Sequence, residues 1–324
     1  MGCKASKPTL AGAPSDTQVC VSRYFKLKEG VTLKQFKTKV YAPYITAVRK
    51  GTSKLNFFGF ALNEDKTQVV VRESYTDADG LIEHLDDCKK VSPLVEEHLE
   101  PISMNVLGPQ EELEKLAEPL KALDPNFMPS VGDSISKLPM QTKRDTHISL
   151  EPKFTVNEGK MEEFKKLMEE FVESTKNGTL LTFYYGFCVK DNVVRCLEGY
   201  KNSKGVLAHL EDVKEALGKA GTLSSLDLKI IGTGPEIRKL KAMKKTVPDV
   251  TFWSLLPGAI TTEAVPVEKQ EEAKMEPKED EKENTDKKKI DDMLEEDEKE
   301  DEKKIEKAGE KDEKQVEDAK KESA

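Results

Sequence analysis

The chain has 324 residues, 35% of them charged and 36% hydrophobic, with a net charge of −9. That length suits two domains of about 100–200 residues each, and so polar a composition excludes one uniform core. Residues 1–260 hold 35 acids against 37 bases, while 261–324 hold 26 against 15, so a near-neutral body precedes an acidic tail and neither has the basic stripe of a nucleic-acid binder.

The N-terminus opens Met1-Gly2-Cys3-Lys4-Ala5-Ser6-Lys7. This fits M-G-x-x-x-[ST], which predicts loss of Met1 and myristoylation of Gly2. One acyl chain gives marginal attachment; a second on Cys3, at about 0.8 kcal/mol per buried CH₂, makes it stable, and Lys4 and Lys7 add attraction for anionic lipid. The alternative is an unmodified start. Residues 8–17 are small and polar with two prolines, a flexible tether. No run of 18 apolar residues occurs, and residues 1–20 lack the apolar centre of a signal peptide. The five cysteines include no CxxC pair, so reduced thiols and the cytosolic face of a membrane are expected.

The body reads as one motif written twice. Glu73-Ser74-Tyr75 and His84-Leu85 recur as Glu198-Gly199-Tyr200 and His209-Leu210, at an offset of 125. Phe57-Phe58-Gly59-Phe60 recurs as Tyr184-Tyr185-Gly186-Phe187, at 127. The expected organisation is an acylated tether at 1–17, unit 1 at 18–128, a linker at 129–145, unit 2 at 146–256 and a disordered tail at 257–324. In unit 1, alternation around Val19 and Val21 predicts a strand, and Leu33, Phe36, Val40, Tyr44 and Val48 recur at helical spacing. Leu55–Leu62 and Val69–Tyr75 flank a polar hairpin; one amphipathic segment runs from Asp79 to about Glu100, and Ile102–Leu107 is a closing strand. Unit 2 repeats this with His147–Val156, Met161–Ser174, Leu180–Val189, Val193–Tyr200, Lys204–Ala220 and Leu226–Ile231. Charged segments Glu111–Leu123 and Glu236–Lys245 predict one short helix each.

The resulting βαββαβ order is ferredoxin-like, an α+β unit with both helices on one sheet face. Each sheet then leaves a face uncovered, and two units in one chain are expected to pack as an intramolecular pseudo-dimeric barrel. The space between the sheets is the expected ligand cavity.

Glu-x-Tyr followed by a helix ending in His-Leu, after a Gly-Phe hairpin, resembles the antibiotic biosynthesis monooxygenase (ABM)-like and stress-responsive dimeric α+β barrel group, over roughly 220 residues. The resemblance implies a cofactor-free oxidation of a quinol or aromatic polyketide, a haem-degrading activity, or a barrel with no assigned reaction. Many members of the group carry another histidine six or seven residues beyond this one. Here Lys90 and Val91, or Glu215 and Ala216, hold those places.

His84 and His209 are the general-base candidates, since imidazole titrates near neutrality; the plainer account is a packed histidine preserved by duplication. Glu73 and Glu198 are candidates to orient such a base, and Tyr75 and Tyr200 to donate to a ligand. Each Glu/Tyr pair, two apart on a strand, shares a sheet face, with a half-exposed barrel edge as the alternative. Phe60 and Phe187 are candidate ligand-lining aromatics, with core packing as the alternative. A single tryptophan, Trp253, after the last strand disfavours haem degradation, and His84/Cys88 with Val213 at the repeated position gives no metal set. No cofactor is expected. The tail, rich in Glu, Asp and Lys, lacks the apolar surface to fold; it reads as a solvated spacer, with binding of a basic protein partner as the alternative. The expectation is therefore a lipid-anchored module that binds an apolar small molecule or scaffolds, or else a cofactor-independent oxidoreductase.

Overall fold

The structure is a computed structural model that describes residues 17–51, 54–136, 147–178 and 181–261. Gly2, Cys3 and the acidic segment beyond Thr261 lie outside the described residues. Half one is built from β1 (Val19–Leu27), β2 (Leu55–Leu62), β3 (Gln68–Tyr75) and β4 (Leu99–Gly108) in the order β4-β1-β3-β2; half two from β6 (Ile148–Val156), β7 (Thr182–Lys190), β8 (Val193–Tyr200) and β9 (Ser224–Gly232) in the order β9-β6-β8-β7. Every neighbouring pair within each half is antiparallel.

Two further strands join the halves. β5 (Asn126–Ser136) runs parallel to β4 and antiparallel to β7 of the other half. β10 (Thr251–Leu255) runs parallel to β9 and antiparallel to β2, and β11 (Ile260–Thr261) continues along β2. The exchange is reciprocal to the residue: Ile135 and Ser136 face Tyr185 and Tyr184 as Ile260 and Thr261 face Phe58 and Phe57. Closing β10 on β2 returns the sheet on itself and makes an α+β barrel. The expected linker at 129–145 is thus strand as far as Ser136, and residues 260–261 of the expected tail are also strand. Each fifth strand satisfies an edge of the other half that would otherwise stay open.

The helices cover the outside of this sheet. Helix α1 (Leu33–Phe36) starts at Thr32 through a capping box with Gln35. It passes through a π turn, Lys37–Tyr41, into α2 (Ala42–Lys50), so the one predicted helix carries an extra residue. The single amphipathic segment expected over 79–100 is two helices, α3 (Ala78–Asp87) and α4 (Ser92–His98), the second with Pro93 in its first turn. After β4 comes α5 (Gln110–Leu116). Half two has α6 (Met161–Asn177), then α7 (Ser203–Asp212) and α8 (Lys214–Leu223) split at Val213, and α9 (Gly234–Leu240) after β9. Asp77 and Asn202 cap α3 and α7 alike, each side chain accepting from a glycine N–H three residues on, at 2.9 and 3.1 Å.

Inside the barrel, side chains from the two halves meet. Tyr24 packs edge-on against Trp253 at 5.4 Å, and Phe57 stacks on Tyr184 at 5.7 Å. Arg72 crosses from β3 and donates to Ser149 Oγ (2.7 Å), the Ile231 carbonyl (3.1 Å) and the His147 carbonyl (3.0 Å). Ser22 and Tyr24 both donate to Glu151. The space expected between the sheets to hold a ligand is occupied by these groups, because aromatic and arginine side chains on inward positions fill a small barrel. Tyr184 has room to do so only because residue 199 is glycine: a Cβ there would stand 2.2 Å from Tyr184 Cε1. Gly199→Ala is therefore expected to lower stability by about 1–3 kcal/mol, measurable by urea unfolding; an unchanged midpoint would show that Tyr184 moves freely.

Candidate functional site

Strand alternation turns Arg72 inward and so turns its neighbour Glu73 outward, under the helices. There Arg23 Nε approaches Glu73 Oε1 at 2.7 Å, and the Tyr75 hydroxyl donates to Glu73 Oε2. His84, on α3, brings Nε2 to 3.5 Å from Glu73 Oε2 and 3.3 Å from the Tyr44 hydroxyl. Arg23 Nη2 donates to Tyr44 at 3.2 Å, and Cys88 Sγ lies 3.9 Å from His84 Nδ1. All five of Glu73, Tyr75, His84, Tyr44 and Cys88 are buried. Burial pushes His84 down to about 4, so its approach to Glu73 joins a neutral imidazole to a carboxylate and is not an ion pair. Burial also works against the Arg23 charge, but Glu73 and Tyr44 outweigh it and hold the guanidinium above its ordinary range. Burial pushes the Cys88 thiol up to about 12.

Half two repeats the scaffold and drops the cation. The Tyr200 hydroxyl donates to Glu198 Oε2 at 2.6 Å, and His209 Nε2 lies 3.6 Å from the same oxygen. The position matching Arg23 is Pro152: Arg23 faces Met104 across β4 as Pro152 faces Leu228 across β9. Without a guanidinium, burial pushes Glu198 up to about 7, against hydrogen bonds from Tyr200 and Cys196 that favour the carboxylate. His209 is pushed down to about 4 by burial. Val213 stands where Cys88 does, and His209 Nδ1 has no hydrogen-bond partner among the described residues. Two sites of one ancestry therefore differ in kind, one a compensated ion cluster and the other a carboxyl that titrates near neutrality.

Half two also opens to solvent. Between α6 and β5 lies a groove of about 490 Å³ with Val131, Met168, Val172 and Phe187 in its apolar lining, a volume within the range of small-molecule sites. Charged residues of α6 ring it, and Lys176 Nζ spans it to Asp133 Oδ2 at 2.7 Å. Phe187 on the groove wall faces Cys196 across the β7/β8 pair, and its neighbour on the same face, Tyr185, faces Glu198. Glu198 thus lies one strand step of two residues, about 7 Å, beyond the groove.

The structure brings together Glu73, Tyr75 and His84 in one half and Glu198, Tyr200 and His209 in the other. The glutamates are buried and lie under the helices, not on a half-exposed barrel edge. Phe187 lines the groove, whereas Phe60 is enclosed by Phe36, Tyr41, Tyr44 and Phe58. Sequence reasoning missed Arg23, Tyr44 and the α6/β5 groove. For Arg23 the signal was present: it sits between Val21 and Phe25 on the strand face that alternation assigns to the core.

No family model and no curated protein matches the chain. Among solved structures, a candidate monooxygenase from Fusobacterium nucleatum subsp. nucleatum is 14% identical, with 77% of this chain and 96% of that one covered and a TM-score of 0.51. MupZ from Pseudomonas fluorescens is 30% identical over 39% of this chain and 94% of its own, with a TM-score of 0.34. A candidate monooxygenase from Lactobacillus acidophilus is 10% identical over 65% and 91%, with a TM-score of 0.44. The first of these takes in both halves and supports the barrel fold; a shared fold does not carry an activity with it.

Proposed function

We propose that this tandem ABM-like α+β barrel is a lipid-anchored binding protein of the cytosolic membrane face that takes an apolar small molecule into its second half. The observation that supports binding is the α6/β5 groove, open to solvent, apolar within and charged at the rim. The Gly2 and Cys3 sequence supports the anchor, and no helix among the described residues is long and apolar enough to cross a membrane. In this reading the acidic segment beyond Thr261 is a spacer that also offers a surface to a basic protein partner.

Titration with fluorescent 1-naphthol tests the binding. Val131→Lys, which puts a cation into the groove from a partly exposed position, is expected to weaken binding at least tenfold while leaving the thermal midpoint near its original value. Equal affinity would reject the groove. Intact mass of the protein from its own cells tests the anchor. Loss of Met1 with one stable and one hydroxylamine-labile acyl chain is expected, and an unacylated mass would remove the membrane from the proposal.

A second reading, cofactor-independent oxidation of a quinol-like apolar substrate by dioxygen, is favoured by Glu198. Moving a proton from a phenol near 10 to an imidazole at about 4 costs roughly 8 kcal/mol, and to a carboxyl at about 7 roughly 4 kcal/mol. The carboxyl in half two, not either histidine, is then the general base. If menadiol is oxidised no faster with wild-type protein than with Glu198→Gln, this second reading fails.

A further inference from the structure

The groove in half two has a twin in half one, and the chain itself fills it. Gly51 and Gly178 fix the correspondence of the helices, because each backs closely onto an aspartate of the repeat, Asp87 and Asp212. Counting back from them places Arg49 with Lys176, Ile45 with Val172 and Tyr41 with Met168. The crossings agree: Arg49 Nη2 reaches the Gly258 carbonyl at 3.4 Å, at the position where Lys176 reaches Asp133. Phe60 corresponds to the groove-lining Phe187 through the offset of the hairpins. Where Met168 leaves open space against Phe187, Tyr41 lays its ring edge-on to Phe60, with centroids 5.5 Å apart and planes at 87°. Its hydroxyl lies over Gly258, so close that a Cβ there would be 3.1 Å from it.

We propose that Tyr41 acts as a built-in stand-in for the ligand. The half-two groove then receives an aromatic ring system bearing a hydroxyl, edge-on to Phe187 with the hydroxyl toward the 132–134 turn. The chain accordingly holds one ligand site and not two. This rests on the groove of half two being a binding site. It adds the pose, the need for a hydroxyl and the stoichiometry.

The test is titration of the full chain with 1-naphthol, and with naphthalene as the partner lacking a hydroxyl. Wild type is expected to take one equivalent of 1-naphthol and to hold naphthalene at least fivefold more weakly. Met168→Tyr, which copies the plug, is expected to lose binding. Tyr41→Ala is expected to take two equivalents, and the double variant Tyr41→Ala/Met168→Tyr one equivalent, now in half one. Binding by Met168→Tyr with wild-type affinity, or one equivalent only in a Tyr41→Ala protein that still melts cooperatively, would overturn the stand-in. So would equal affinity for naphthalene. If Tyr41→Ala does not fold, Met168→Tyr decides alone. No binding at all by wild type would instead overturn the groove itself, and the stand-in with it.

Discussion

Arg23→Met is expected to destabilise the protein by about 3–5 kcal/mol, read as a fall in the urea midpoint at pH 7 with little change in slope. The cause is the carboxylate left behind. Glu73 is 1% exposed, and Arg23, 2.7 Å away, is the cation that faces it. Tyr75 still donates to Glu73 after the substitution, but one hydroxyl does not replace a charge in a site closed to water. The companion variant Glu73→Gln strands the guanidinium instead and is expected to cost a comparable amount. The double variant should recover much of the loss, since an ion pair replaced as a unit is often close to neutral. A loss under 1 kcal/mol for Arg23→Met would mean that water reaches Glu73.

Glu198→Gln is expected to have the opposite sign and to depend on pH. Glu198 sits at about 7 in the folded protein against an ordinary 4.5, so the folded state keeps a proton that the unfolded chain releases between those values. The stability this provides is full below about 4.5 and is lost as pH rises through 7, a span of about 3 kcal/mol. The amide keeps an acceptor for Tyr200 and cannot ionise. The variant should therefore gain about 2–3 kcal/mol relative to wild type on going from pH 5 to pH 8. His84 and His209 work the other way. Held at about 4 against an ordinary 6.5, they give stability that is present above 6.5 and lost as pH falls through 4. Comparing variant and wild type at each pH cancels the contribution of His84, which sits in the other half, and restricting the comparison to pH 5–8 keeps both proteins above the range in which His209 protonates. A variant-minus-wild-type difference that is flat with pH would show that Glu198 titrates as an ordinary surface carboxyl.

The repeat, its strands and the shared Glu-Tyr-His pattern were legible because alternation and helical spacing survive duplication. The exchange of strands was not. Pro129, Gly132, Asp133, Ser134 and Ser136 carry turn chemistry and low strand propensity, and pairing with β4 as far as Pro129 and with β7 from Ser130 on makes that segment a strand. The burial of the two glutamates is a tertiary property as well. Alternation placed them on one face with the tyrosines but gave no partner for the charge, and the sequence distance between Arg23 and Glu73 hides the pair. The groove was the least legible feature. It depends on Tyr41 and Met168 being equivalent but unlike in shape, and on Val131, Gly132 and Asp133 of β5, which only the strand exchange brings against α6.

Because β5 and β10 each complete the other half's sheet, neither half can finish folding on its own edges. The covalent connection between them then acts chiefly as a device for local concentration, holding two self-complementary partners at the millimolar level typical of short linkers. A chain cut within 137–146 should reassemble from its two fragments at high concentration and come apart on dilution. An intact chain is protected from such dilution. The fusion keeps an unlike pair of halves together, one closed and one open, which free association of identical units would not guarantee.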